Sequence, residues 1–214
     1  MTSAPRPVAA DRLADELADL VDRSAASCAH VLRVAVDGHP AAGTAALADA
    51  LVDPLRLLGH PVLRVSAAWF LRPASVRLEH GRTDPDSFYE DWLDVAALRR
   101  EVLDPLGPGG SGRYLPTLWD PSTDRSTRAA YAVAPERAVL VLDGTLLLGH
   151  GLPLDLTVHL RLSAGARSRR SSADWRWALP AYDRYEQEVG PEQVADVLVR
   201  VDDPRHPALS FPTG

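Results

Sequence analysis

Residues 30–45 read HVLRVAVDGHPAAGTA, and this stretch decides the fold. Residues 30–36 (HVLRVAV) are β-branched and mostly apolar, as a strand buried on both faces of a parallel sheet must be. A glycine-bounded turn follows. Residues 44–58 then carry apolar side chains at helical spacing. The order is strand, loop, helix.

Outward from that unit the pattern repeats in kind. Residues 61–66 (PVLRVS), 138–142, 154–160 and 194–201 read as further strands. Residues 11–27 read as a helix on Leu13, Leu17, Leu20 and Val21, with Asp11 as cap. Asp94 caps a helix through Leu103, and Ser163 caps an arginine-rich helix through about Ser171. Residues 105–112 (PLGPGGSG) form a loop, and 113–119 with 128–133 suggest a hairpin beside the sheet. Strands alternating with helices predict an α/β fold, a parallel sheet of about five strands flanked by helices with a small hairpin insertion. The expected division is an N-terminal helical segment over 1–29, the main domain over 30–207 with a lid region near 163–190, and a tail over 208–214. Ligands in such sheets bind at the carboxyl ends of the strands. The loops at 37–44, 67–73, 143–150 and 202–207 should therefore line one crevice.

The loop after the first strand matches a phosphate-binding P-loop, GxxxxGK[ST], at its two glycines only. Gly38 and Gly43 stand at the correct separation, enclosing His39, Pro40, Ala41 and Ala42. The lysine position is Thr44 and the hydroxyl position is Ala45. Main-chain amides and the helix start would still favour an anion, with Pro40 removing one donor. The missing lysine normally bridges the β and γ phosphates. The missing hydroxyl normally holds Mg²⁺. A plain strand-to-helix turn without ligand is the competing reading. All 23 basic residues are arginine, so no lysine elsewhere can substitute as phosphate clamp, Schiff-base former or general base.

The 214 residues suit one domain with a full-sized core. A net charge of -6 argues against nonspecific binding to nucleic acid or anionic membrane. Cys28 is alone, which excludes an intrachain disulfide and makes a reducing cytoplasm the simplest compartment. Residues 1–10 lack an apolar run of signal-peptide length. The longest apolar stretch, 138–148, contains Asp143 and is too short to span a bilayer. No Cys/His cluster has zinc-ligand spacing.

Several further stretches resemble bacterial uridine kinases, especially the short actinobacterial type. They are FLRP at 70–73, GRTDPDSFY at 81–89, LRR at 98–100, LDPLGPGG at 103–110, Trp119-Asp120, Thr123-Asp124, Leu142-Asp143-Gly144 and Val201-Asp202-Asp203-Pro204. The resemblance spans roughly residues 30–207. It implies a P-loop nucleoside-kinase fold, ATP and Mg²⁺ as ancestral cofactors, a nucleoside or nucleotide as small-molecule partner, and a tendency to self-associate. The family keeps a base aspartate just before the phenylalanine matched by Phe70. Here those positions hold Ala68 and Trp69. Asp143 matches the acid near Mg²⁺, the one catalytic and metal-binding group retained. Tyr89, Tyr114, Trp119, Asp124 and Arg125, with Trp69, Phe70 and Arg72, fall in the regions of the nucleoside pocket. Arg167, Arg169 and Arg170 match the lid over the phosphates, and Asp202, Asp203 and Pro204 the loop beside the adenine.

Lysine, metal hydroxyl and base are thus all absent, in separate segments of one constellation. Three functions remain open: a kinase homologue impaired in phosphoryl transfer that binds a nucleoside, nucleotide or related molecule; a working kinase with arginines in place of the lysine; and an interaction protein with a closed cleft. His39 could meet phosphate or simply face solvent in a turn. Trp69 could pack or cover a ligand. Trp175 and Trp177 read as packing residues, and Tyr182 and Tyr185 fit a helix face.

Overall fold

Every residue of the deciding strand, Leu32–Gly38, is buried, as its composition requires. It lies in a computed structural model that describes residues 4–212. The strands in chain order are β1 (Arg6–Pro7), β2 (Leu32–Gly38), β3 (Val62–Ser66), β4 (Arg113–Tyr114), β5 (Trp119–Asp120), β6 (Arg125–Ser126), β7 (Ala132–Val133), β8 (Val139–Gly144), β9 (Leu156–Arg161), β10 (Val197–Arg200) and β11 (Ala208–Ser210). The main sheet is seven-stranded, ordered β1-β11-β10-β9-β2-β8-β3. Its centre, β10 through β3, is parallel throughout. At the edge β11 runs antiparallel to β10, and β1 antiparallel to β11.

That edge differs from the sequence reading. Part of the expected tail, Ala208–Ser210, is a strand, and the short Arg6–Pro7 strand covers it. Both are too short for periodicity to reveal. Residues 213–214 of the expected tail lie outside the described residues. The N-terminal segment is no separate unit either. Its helix, Leu13–Ala25, starts later than Asp11 and has Arg12 rather than an aspartate at its cap. It buries Leu13, Leu17, Ala18 and Val21 in the same cluster as Val34, Val36 and Val158 of the sheet.

The opposite face of the sheet is covered by a second cluster built on Ala35, Leu140, Leu142, Leu98, Leu103 and Leu106. Helices on both faces hide a sheet whose strands are apolar on both sides. The helix expected over 44–58 is two pieces, Thr44–Ala50 and Val52–Leu57, joined at Leu51. The caps assigned to Asp94 and Ser163 are made: Asp94 accepts the Ala97 amide at 2.9 Å and Ser163 that of Ala166 at 3.3 Å. The insertion is two nested antiparallel pairs, β4 with β7 and β5 with β6. Among the described residues no helix is long and apolar enough to cross a membrane.

Candidate functional site

A cavity of about 670 Å³ opens at the carboxyl ends of β2, β3 and β8. Three of the four expected loops line it: His39, Pro40, Ala41 and Thr44 contribute from the first, Ala67, Ala68 and Leu71 from the second, and Asp143–Leu146 with His150 from the third. The loop at 202–207 does not. Its place is taken by the end of the Ala164–Arg170 helix and the segment after it, through Arg170, Ser171, Trp175 and Tyr182. The wall is aromatic. Phe88 and Trp92 meet edge to face at 5.0 Å, and Phe88 lies 5.9 Å from Tyr182. Trp175, read from sequence as packing, is 48% exposed and faces this cavity.

At the loop after β2, both glycines are required by the backbone. Gly38 has φ 149°, and a Cβ there would stand 2.7 Å from the Leu160 carbonyl oxygen. Gly43 has φ 87°. The loop between them is a single 3₁₀ turn, Pro40–Ala42. Its amides are spent on itself. The Ala41 N–H donates to His39 Nδ1 at 3.0 Å, Ala42 N–H to the His39 carbonyl at 2.8 Å, and Gly43 N–H to the Pro40 carbonyl at 3.0 Å. Pro40 has none to give. The open cradle anticipated from the spacing is therefore a closed turn. Thr44, at the lysine position, is 5% exposed.

The His39 ring is neutral. Burial, with the Arg167 charge as a second cause, lowers its pKa to about 4. Because Nδ1 accepts the Ala41 proton, Nε2 carries the ring hydrogen and donates to Ser171 Oγ at 3.2 Å. That hydroxyl donates onward to the Arg167 carbonyl at 2.9 Å. Tyr182 lies 4.5 Å from the ring. The mouth of the loop carries no imidazolium charge.

Asp143 sits at the end of β8, almost fully buried, and lines the cavity. Its Oδ1 accepts from Arg64 Nη1 at 2.6 Å. Arg64 also holds Asp49 through Nε at 2.8 Å and reaches the Ala45 carbonyl through Nη2 at 3.4 Å. These residues do not fit Mg²⁺: one carboxylate, already paired with a guanidinium, faces a position whose hydroxyl is missing. Hard divalent cations want several free oxygens. The three-residue group of Cys28, His30 and Asp155 is spoken for in the same way, since Arg33 holds both Asp155 oxygens at 2.8 Å.

The lid arginines are also engaged. Arg167 is buried and paired with both Asp183 and Glu186. Arg170 donates to the carbonyls of Val201 and Asp202 at 3.0 and 2.6 Å, although it still borders the cavity. Arg169 is exposed. The Asp202-Asp203-Pro204 loop turns on itself. Asp202 accepts the Ser163 amide at 2.7 Å, and a hydrogen bond from His206 holds the Asp203 carboxyl down at about 2.

Of the expected pocket residues, Tyr89 alone lines the cavity. Phe70 is fully buried in the second cluster, and Tyr114 packs beside it. Trp69 is 37% exposed and stands off the cavity. Arg72 pairs with Asp91 at 3.1 Å. Asp124 fastens the insertion, accepting from Trp119 Nε1 at 3.0 Å and from the Ala74 amide at 2.8 Å. Arg125 is exposed on β6.

Sequence reasoning missed two features. One is Arg64, an arginine inside an apolar strand, which needs an acid partner and so carried a signal. The other is Asp37, fully buried one residue before the loop. It accepts from Leu147 N–H at 2.9 Å, from Tyr185 OH at 2.9 Å and from His159 Nδ1 at 2.7 Å. Burial, with the Asp37 charge second, pushes the Tyr185 phenol far up, so it stays a proton donor. Nothing local in the sequence linked positions 37, 159 and 185.

Comparison by sequence finds no matching family model and no matching curated protein. Comparison of folds does find matches. A structure described as a possible uridine kinase from Bacillus stearothermophilus superposes with TM-score 0.67 at 19% identity, over 86% of this chain and 97% of that one. The YGR205w protein gives 0.66 at 10% identity, over 97% and 100%. D-glycerate 3-kinase from Cryptococcus neoformans gives 0.54 at 16%, over 83% and 80%. Sheet order and these superpositions together give the chain an α/β fold, a mostly parallel sheet flanked by helices, which it shares with these solved structures.

Proposed function

We propose that this protein binds a nucleoside, or a neutral planar molecule of similar size, in the aromatic-walled cleft and does not transfer phosphoryl groups from Mg²⁺-ATP at a kinase rate. The observation that carries this reading is the closed hydrogen bonding of Ala41, Ala42 and Gly43. Those amides would have to face a triphosphate, and each already has a partner within the loop. Preorganised donors supply most of the stabilisation in phosphoryl transfer, and removing one costs roughly 10²–10³ in rate. A neutral His39 and a paired Asp143 leave little charge to hold a polyphosphate or a metal. The reading in which lid arginines replace the lysine meets the engagement of Arg167 and Arg170 with protein groups. A closed cleft is disfavoured by the 670 Å³ cavity.

The test has two arms. With ATP, Mg²⁺ and uridine or cytidine at high protein concentration, turnover should fall far below the ~1 s⁻¹ floor usual for kinases. In a thermal-shift titration, uridine or cytidine should raise the melting temperature and ATP with Mg²⁺ should not. A ligand at 100 times its Kd adds about 2.7 kcal/mol, which such a titration reads easily. Turnover near 1 s⁻¹ would end the proposal.

A further inference from the structure

In P-loop phosphotransferases the divalent metal is held between the loop's Ser/Thr and an acid at the end of a neighbouring strand. Here those two positions are Ala45 and Asp143. A side chain lies between them. Arg64 comes from β3, beside β8, and its guanidinium reaches Asp143 Oδ1 at 2.6 Å and the Ala45 carbonyl at 3.4 Å. Nη1 also donates to the Val65 carbonyl at 2.8 Å, and Nε is fixed by Asp49 at 2.8 Å. The guanidinium is planar, permanently charged and held by four oxygen acceptors. Its side chain is 24% exposed, and that of Asp143 7%.

We infer that Arg64 is a built-in cation occupying the place of the divalent metal, so that the cleft takes its ligand without one. The charge argument is direct. A lone buried carboxylate is costly, and either a metal or a guanidinium can neutralise it. A metal entering at Asp143 would meet the Arg64 charge within hydrogen-bond distance and lose the Asp143 oxygen it needs. Arg64 also ties β8 to the Thr44–Ala50 helix through Asp49 and Ala45, which makes the cation part of the loop's support. The inference depends on positions 45, 64 and 143 and not on which ligand fills the cleft, so it can fail while the proposed function stands.

Mn²⁺ alone is the probe, titrated into the purified full-length protein and read by electron paramagnetic resonance. The wild type should show no Mn²⁺ binding below millimolar concentration that Asp143→Asn removes. Arg64→Gln, which shortens the side chain and drops the charge, should bind Mn²⁺ at least tenfold more tightly than wild type, and adding Asp143→Asn should remove the gain. Circular dichroism checks the fold of each variant. Micromolar, Asp143-dependent Mn²⁺ binding by the wild type would overturn the inference whatever the variants do. So would a folded Arg64→Gln protein with no gain.

Discussion

His39 Nδ1 accepts the amide proton of Ala41, two residues further along the same loop, at 3.0 Å. This one bond turns a sequence that spaces its glycines like a phosphate cradle into a self-contained turn. It also sets the tautomer that ties the loop to Ser171.

Restoring the missing groups at the loop alone should not restore catalysis. Thr44→Lys with Ala45→Ser supplies the lysine and the hydroxyl, but the loop amides stay internally bonded and Arg64 stays on Asp143. Lysine at the buried position 44 should also lower stability. A coupled assay with ATP, Mg²⁺ and uridine should show turnover no higher than wild type. Appearance of turnover near ~1 s⁻¹ would mean the loop opens readily to phosphate.

Stability should fall with acid through His39. Its folded pKa, about 4, lies below the ordinary histidine value of 6.5. Between those values the unfolded chain binds the proton that the folded chain refuses, so stability is full above pH 6.5 and is lost as pH falls toward 4. Arg167 adds to the effect, because it repels the imidazolium. His39→Asn keeps an acceptor for the Ala41 amide and removes the titration. Melting temperatures from pH 7 to 4 should fall less steeply for His39→Asn than for wild type; parallel curves would show that His39 is not a source of the acid sensitivity.

Asp37 is the most exacting polar position. Asp37→Ala leaves the donors of His159, Tyr185 and Leu147 buried without their acceptor. Each orphaned group costs about 1–3 kcal/mol, so a loss of roughly 3 kcal/mol or more is expected. For a chain of this length that lowers the melting temperature by about 10 °C. Tyr185→Phe removes one donor from the carboxylate, which keeps two, and also leaves the buried Leu148 amide without its acceptor, so it should cost about 2–4 kcal/mol. Urea unfolding measures both, and a double-mutant cycle should show coupling between the sites. A cost below ~1 kcal/mol for Asp37→Ala would contradict the network.

The aromatic wall should report ligand. Trp175 is half exposed, borders the cavity and stacks on Trp177 at 5.7 Å. Trp175→Ala should leave the free energy of unfolding within about 1 kcal/mol of wild type. It should weaken uridine binding by about tenfold, the size of one lost stacking partner. Isothermal titration of both proteins with uridine decides it. Equal affinity would place the ligand elsewhere in the cleft.

The central strands and the helix faces were legible because they rest on local rules. The run at 30–36 is apolar on both faces, and only a covered parallel sheet accepts that. Leu13, Leu17 and Val21 share one helical face wherever the helix packs. Asp94 and Ser163 cap because the amides they bind are three residues away. The crevice could be placed from the fold rule for three loops of four. The fourth, 202–207, went elsewhere because Arg170 and Ser163 hold it by contacts 32 and 39 residues apart in sequence. Trp69, Phe70, Arg72, Tyr114 and Trp119 were expected in a pocket from resemblance alone, and none of them lines the cavity, because which side chain meets it depends on the tertiary packing of each segment.

By itself the sequence determined that strand, glycine-bounded loop and helix follow one another, and that no lysine could serve at the site. Those are matters of covalent order and side-chain periodicity. Only the tertiary structure decided the state of the site. The Ala41 amide chose between an anion and His39, Asp143 between a metal and Arg64, and Asp37 found His159 and Tyr185. The Ala41 amide is settled inside the loop, two residues from its partner, whereas the Asp143 and Asp37 choices lie among groups remote in the chain and are settled by which partner burial brings within about 3 Å.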